Sequence, residues 1–240
     1  MPTPHARWAH LYDHAYHHSF GAQYRALSEQ TLNLVRTLGS PPCSVIDFGA
    51  GTGRIAVPLA RAGYAVTAVD PCAEMLAVLR AKAADARVAI DVHEARMEDF
   101  EDARRFDVAL CVFTTVLYLL DESSLRRGLR AFAASLRPGG RLLFDVPSRL
   151  AFQGFRIATA DCVRSVDVAP IDDDRYTYTE DLRCRIDGVW QACTESFPIR
   201  YWPVETVLDV LSEAGVACDG PIDAFAGTGS DYFTGRRLAR

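Results

Sequence analysis

Between positions 47 and 70 the chain places two carboxylates and three glycines in an order that suits a ligand lying against bare backbone. The stretch reads Val45-Ile46-Asp47-Phe48-Gly49-Ala50-Gly51-Thr52-Gly53. Gly49, Gly51 and Gly53 have no side chain to block a close approach and adopt positive φ at little cost. A β-branched apolar run enters the stretch and a helix-like run from about Arg54 to Ala62 leaves it. Strand, glycine turn and helix start follow one another, with unsatisfied N–H groups of the helix start expected to face the ligand. A dinucleotide fingerprint would read G-x-G-x-x-G; here the spacing is G-x-G-x-G. Asp47 precedes the first glycine, where a carboxylate repels phosphate and attracts an ammonium group. Asp70 closes a second strand, Ala65 to Val69, and a carboxylate there accepts both hydroxyls of a ribose. The pattern points to a nucleoside with a cationic amino-acid tail.

A second group of reactive side chains lies upstream: five of the six histidines stand at 5, 10, 14, 17 and 18. On a helix, His10, His14 and His18 share a face with His17 beside them. His14 is the candidate general base; the plainer reading is a polar, solvated helix face. Neither carboxylate nor cysteine spacing supports a metal site, and no metal is expected.

These features together resemble the class I S-adenosylmethionine-dependent methyltransferases of small-molecule type. The matching residues are Asp47 to Gly53, Asp70-Pro71 followed by Glu74-Met75-Leu76, and Arg137-Pro138-Gly139-Gly140 before a strand at Arg141 to Val146. They cover roughly residues 40 to 147. The resemblance implies S-adenosylmethionine as cofactor and S-adenosylhomocysteine as product. It puts Asp47, Gly49, Gly51, Gly53, Asp70 and Pro71 at the cofactor, Met75 over the adenine, and Tyr12 or Tyr24 near the methionine tail under an N-terminal lid. Arg96 stands where the family often shows an acid for the adenine amino group, leaving backbone at Met97, or Asp99 in a shifted register. The loop after the fourth strand, Phe106 to Cys111, lines the transfer site in this family. Cys111 and Phe113 are therefore cofactor-side candidates, and Tyr118 joins His14 as a candidate catalytic residue. For Met75, Phe113, Tyr118 and the two tyrosines of the lid, ordinary core packing is the competing reading.

The elements that must position these residues alternate from Ser44 onward: strand to Phe48, helix to Ala62, strand to Val69, helix from about Ala73 to Ala84, strand Val88 to Val92. The expected fold is α/β, a doubly wound, mostly parallel seven-stranded Rossmann-like sheet. Residues 1–240 form one domain: a helical lid over 1–40, broken near Ser19-Phe20-Gly21, a cofactor-binding core over 41–147, an antiparallel β cap over 148–202, and a C-terminal helix and hairpin over 203–240. In the cap, Arg175 to Ile186 alternates, Asp187-Gly188 is a hairpin turn, and a return strand runs to about Phe197. A strand near Cys162 to Val168 makes a three-stranded meander, which reads as a substrate cap or as a dimer surface. Asp121 caps a helix through Leu136, and Pro203 opens another.

Composition bounds the function. The chain of 240 residues is 49% hydrophobic and 24% charged, enough for one substantial core, and its net charge of −5 gives no footprint for nucleic acid. No apolar run reaches membrane-spanning length and no signal pattern opens the chain, so a cytoplasmic protein is expected. Seven cysteines without a C-x-x-C pair suggest reduced thiols. The expected partner is a small-molecule substrate, with a homodimer as one expected assembly. The leading reading is methylation of a nitrogen or oxygen of a small metabolite, in small-molecule biosynthesis. Two alternatives keep the cofactor: a non-methylating enzyme of cyclisation or elimination chemistry, and a non-catalytic regulatory protein.

Overall fold

In the strands β1 (Ser44–Phe48), β2 (Ala65–Asp70) and β4 (Phe106–Cys111) nearly every residue is buried, the pattern of a sheet covered on both faces. A computed structural model describes residues 3–102 and 105–239 and shows why. With β3 (Asp91–Glu94), β5 (Leu136–Pro147), β10 (Val216–Pro221) and β11 (Ser230–Arg237), these strands form a seven-stranded sheet in the order β10-β11-β5-β4-β1-β2-β3. β1 pairs in parallel with both β2 and β4, so the strand order reverses beside β1; β11 alone runs against its neighbours. Such a reversal opens a crevice at the carboxyl ends of the strands.

Side chains alternate between two cores. One face carries Ile46, Phe48, Ala109, Cys111 and Phe144 against Leu125, Leu129 and Phe132 of α4 (Glu122–Ser135) and Val207, Val210 and Leu211 of α5 (Val204–Glu213). The other carries Val45, Ala68, Val108 and Leu110 against Leu59 of α2 (Ala56–Arg61), Leu76 and Leu79 of α3 (Ala73–Ala86), and Val35 of α1 (Tyr12–Leu38). The α4 start is a complete capping box: Asp121 accepts the Ser124 N–H, and the Ser124 hydroxyl oxygen accepts the Asp121 N–H.

Several boundaries differ from the sequence reading. The third strand starts at Asp91 rather than Val88, because α3 runs on to Ala86 and closes on Arg87 in a left-handed conformation, with the Val88 N–H turned back to the Ala83 carbonyl. α2 begins at Ala56, so residues 51–55 belong to the turn. The C-terminal strands β10 and β11 pair as the expected hairpin, and the connection between them also holds a 3-10 turn at Asp223–Phe225.

The cap is a separate four-stranded antiparallel sheet, β6-β7-β8-β9, built from Phe155–Ala158, Cys162–Pro170, Arg175–Ile186 and Val189–Arg200. β6 was absent from the three-strand expectation because four residues carry too little periodicity to read. The helix α1 links the two sheets. It breaks at Gly21, where φ is 48°; the residues after the break pack on the parallel sheet, while Trp8, Leu11 and Ala15 before it pack on Cys162, Leu182 and Cys184 of the cap.

The cap also buries a charge pair. Arg164 Nε donates to Glu180 Oε1 at 2.6 Å with both side chains about 1% exposed, and the guanidinium lies 4.1 Å from the Tyr16 ring. Its stability arises from mutual neutralisation in a site closed to water. Replacing Arg164 by leucine leaves Glu180 buried without its cation and should cost roughly 3–5 kcal/mol in urea unfolding, whereas Arg164→Leu with Glu180→Leu should recover most of that. Equal losses for the single and double variants would show that the pair does not act as a unit.

Candidate active site

The crevice holds a cavity of about 330 Å³, within the range of small-molecule sites. Its floor is the bend after β1. The Gly49 and Ala50 N–H groups donate to the Val69 carbonyl at 2.8 and 3.1 Å, the Gly51 N–H donates to Asp70 Oδ2 at 2.9 Å, and the Gly53 N–H donates to the Ala50 carbonyl at 2.9 Å. The Gly49, Ala50, Gly51 and Gly53 N–H groups are therefore engaged within the chain. That arrangement suits a neutral or cationic group better than a pyrophosphate, which needs free N–H donors. Gly49 has φ 75° and a Cβ there would collide with Thr115; Gly51, also at positive φ, lines the cavity, and a Cβ on it would stand in open space.

Asp70 is braced from two sides: Oδ2 accepts the Gly51 N–H, and Oδ1 accepts the Cys72 N–H at 2.9 Å. Each oxygen retains a lone pair for a ligand hydroxyl. Burial pushes the Asp70 carboxyl above its ordinary pKa, and those two backbone hydrogen bonds pull the other way. Asp47 lies behind the bend, 4% exposed and outside the cavity lining; burial and the neighbouring Asp70 charge push its carboxyl up to about 7.

The loop after β4 forms one wall. Phe113 and Thr114 both have positive φ, 61° and 69°, a conformation that β-branched and bulky residues rarely adopt. Asp145, fully buried at the end of β5, holds it there by accepting the Thr114 N–H at 3.1 Å. Tyr118 and Leu119 continue the wall, and Phe197 and Pro198 of β9 face it. Beside Asp70, whose carbonyl accepts the Ala95 N–H, the turn after β3 contributes Arg96, Met97 and Glu98; the Arg96 guanidinium is engaged by Glu98 at 2.8 Å.

The roof is the N-terminal segment. His5, Tyr12 and Tyr16 line the cavity, with Tyr12 and Tyr16 stacked at 4.4 Å. The lid is tied to the bend: Thr52 Oγ1 donates to Asp13 at 2.8 Å, Lys82 Nζ pairs with the same carboxylate at 2.7 Å, and Arg54 stacks on the rings of Tyr24 and Phe113 at 3.7 and 3.8 Å.

Of the residues singled out from sequence, Tyr12, Gly49, Gly51, Asp70, Pro71, Met75, Arg96, Met97, Phe113 and Tyr118 line this one cavity. His14 does not. It stands two residues from Tyr12 on α1, on the other side of the helix, with its ring 4.2 Å from His18. The histidine in the lining is His5, in the 3-10 segment before α1. Cys111 also falls outside: strand alternation turns it into the core under α4. Gly53 serves packing, since a Cβ there would come within 2.8 Å of Leu79, and Tyr24 braces Arg54 from behind the wall. Arg54, directly after the last glycine, was legible as a neighbour of the bend, and His5 was one of the five N-terminal histidines though not the one chosen; Tyr16 and Phe197 carried no local signal.

Comparison with known proteins agrees with this geometry. Residues 45–140 match the family model for a methyltransferase domain. The chain is 32% identical over 137 residues to dTDP-3-amino-3,6-dideoxy-alpha-D-glucopyranose N,N-dimethyltransferase of Streptomyces fradiae, covering 57% of this chain and 52% of that protein. It is 34% identical over 124 residues to a ubiquinone biosynthesis O-methyltransferase of Methylobacterium nodulans, covering 51% and 48%. It thus spans about half the length of the curated relatives it matches. A crystal structure of an S-adenosylmethionine-dependent methyltransferase from Clostridium acetobutylicum superposes over 97% of this chain and 98% of its own with a TM-score of 0.82 at 17% identity, which establishes the fold. Residues 45–140 are thus similar to a methyltransferase domain, and the fold seen in an S-adenosylmethionine-dependent methyltransferase extends along 97% of the chain.

Proposed function

We propose that the protein binds S-adenosylmethionine on the bend after β1 and transfers its methyl group to a nitrogen or oxygen of a small molecule. The observation that carries this reading is Asp70: a carboxylate at the tip of β2, both oxygens braced by backbone N–H groups, beside a cavity whose floor keeps open space over Gly51. The residues fit the cofactor. Asp70 would hold the ribose hydroxyls, Met75 and Met97 the adenine, and Tyr12 and Phe113 the methionine end. Asp47 would complement the ammonium group through the field behind the bend. When bound, the cofactor supplies a sulfonium methyl for in-line displacement. The chain's part is to hold the acceptor in line and exclude water, which the aromatic roof and the wall of Tyr118 and Phe197 are built to do. By their names, the relatives above are an N,N-dimethyltransferase of an amino-dideoxy sugar nucleotide and an O-methyltransferase of ubiquinone biosynthesis, in keeping with a small acceptor.

Two measurements test this. Titration calorimetry with S-adenosylhomocysteine should show binding that Asp70→Ala weakens about tenfold to a hundredfold, the worth of a charged hydrogen-bond acceptor. Unchanged affinity in the variant would remove Asp70 from the site. The second concerns pH. Asp47, at about 7, and Asp145, at about 6, both have pKa values raised in the folded state, chiefly by burial. Each favours folding fully below the ordinary carboxyl range and loses that contribution as pH rises through its folded value. The ligand-free protein should therefore lose stability between about pH 4 and 7, and Asp47→Asn should flatten the upper part of that profile in thermal unfolding. Parallel profiles for the two proteins would refute the buried-carboxylate account.

A further inference from the structure

His5 is the one histidine in the cavity lining, and its backbone is held in an uncommon conformation: φ 66°, ψ 3°, left-handed, for a residue other than glycine. What holds it comes from the far end of the chain. Glu195 on β9, itself 5% exposed, accepts the His5 N–H through Oε2 at 2.7 Å, the Trp8 indole N–H through Oε2 at 3.1 Å, and the Arg7 N–H through Oε1 at 3.1 Å. One carboxylate thereby fixes the entry of the lid onto the cap. Strain maintained by so specific a clamp at a cavity wall is a reason to look for a role.

The ring makes one polar contact. Nε2 lies 2.9 Å from the Tyr118 hydroxyl oxygen, and Nδ1 is buried without a hydrogen-bond partner. The ring packs edge-on against Trp8, Tyr12 and Phe197 at 5.0–5.5 Å, and Arg164 is the charge that acts on it. Burial, reinforced by Arg164, holds the imidazole down to about 3, so it is neutral through the physiological range. A buried N–H without a partner is costlier than a buried lone pair, which places the single ring proton on Nε2, donated to Tyr118. Tyr118, which lines the cavity, then keeps its own O–H and one lone pair unused by the ring. That is the complement of an amine N–H or a hydroxyl.

We propose that His5 is a positioning residue for the acceptor: its Nε2–H fixes the Tyr118 hydroxyl to hold an uncharged amine or hydroxyl of the methyl acceptor, and Glu195 holds His5 in place. This rests on reading the cavity as a methyl-transfer site, and the test separates the two. In the full-length protein labelled with 15N-histidine, one resonance set, absent from His5→Gln, should show the neutral Nε2–H tautomer from pH 5 to 8, and Glu195→Gln should shift it. Calorimetry then compares S-adenosylhomocysteine with sinefungin, which carries an amine in place of the transferred methyl. Tyr118→Phe and His5→Ala should each lower the preference for sinefungin by fivefold or more while leaving S-adenosylhomocysteine affinity within about twofold. His5→Gln, which retains an N–H donor, should restore part of the preference. An Nδ1–H tautomer, a ring that titrates in this range, or an unchanged preference in Tyr118→Phe overturns the proposal while leaving the cofactor reading intact. Failure to bind S-adenosylhomocysteine overturns both.

Discussion

The site depends on a backbone bend that is stitched to its neighbours by its own N–H groups. Gly49 and Ala50 donate to the Val69 carbonyl and Gly51 donates to the Asp70 carboxylate, so the end of β1 and the end of β2 move as one body. Asp70 in turn accepts the Cys72 N–H and so fixes where α3 begins. Thr115 packs where a side chain on Gly49 would be, which brings in the loop after β4, and Asp145 anchors that loop to β5. Four adjacent strand tips are thus cross-linked beneath the cavity. A floor built this way is rigid before any ligand arrives, and little ordering is left to oppose binding.

The roof is constructed on a different principle. Its residues come from positions 5 to 16 and 197 to 198, and side chains rather than backbone hold them together. The buried Arg164 and Glu180 pair stiffens the cap sheet under Tyr16, and the rings of Trp8, Tyr12 and Tyr16 stack on one another with His5 edge-on against the first two. Low dielectric around these groups keeps His5 neutral and the Tyr118 phenol protonated, each chiefly by burial. The interior of the roof therefore meets a ligand with hydrogen bonds and ring faces, not with formal charge.

The floor was legible in the sequence because its chemistry is local. Glycine spacing and a carboxylate after a β-branched strand each leave a mark within a few residues, and the alternation of strand and helix fixes the sheet around them. The roof was legible only in part. The resemblance offered Tyr12 or Tyr24 for the cofactor side, and of the two Tyr12 lines the cavity, but no periodicity distinguishes His14 from His5, since the 3-10 segment rotates the chain before α1 starts. Glu195 lies 190 residues from the backbone group it accepts, and nothing in either neighbourhood announces the contact. The same limit explains Cys111: its strand was read correctly, and only the register of the sheet decides which face a given residue takes.

This division of labour bears on how such chains diverge. The matched domain, residues 45–140, contains the bend and the tips of β1, β2 and β4 but not Asp145, His5, Tyr12, Tyr16 or Phe197. Substitutions in the roof leave the cross-linked strand tips untouched, so one half of the cavity is free to be remodelled by descent while the other is held by backbone geometry. A chain built on that plan keeps one architecture with very different residues, as the superposition at 17% identity illustrates.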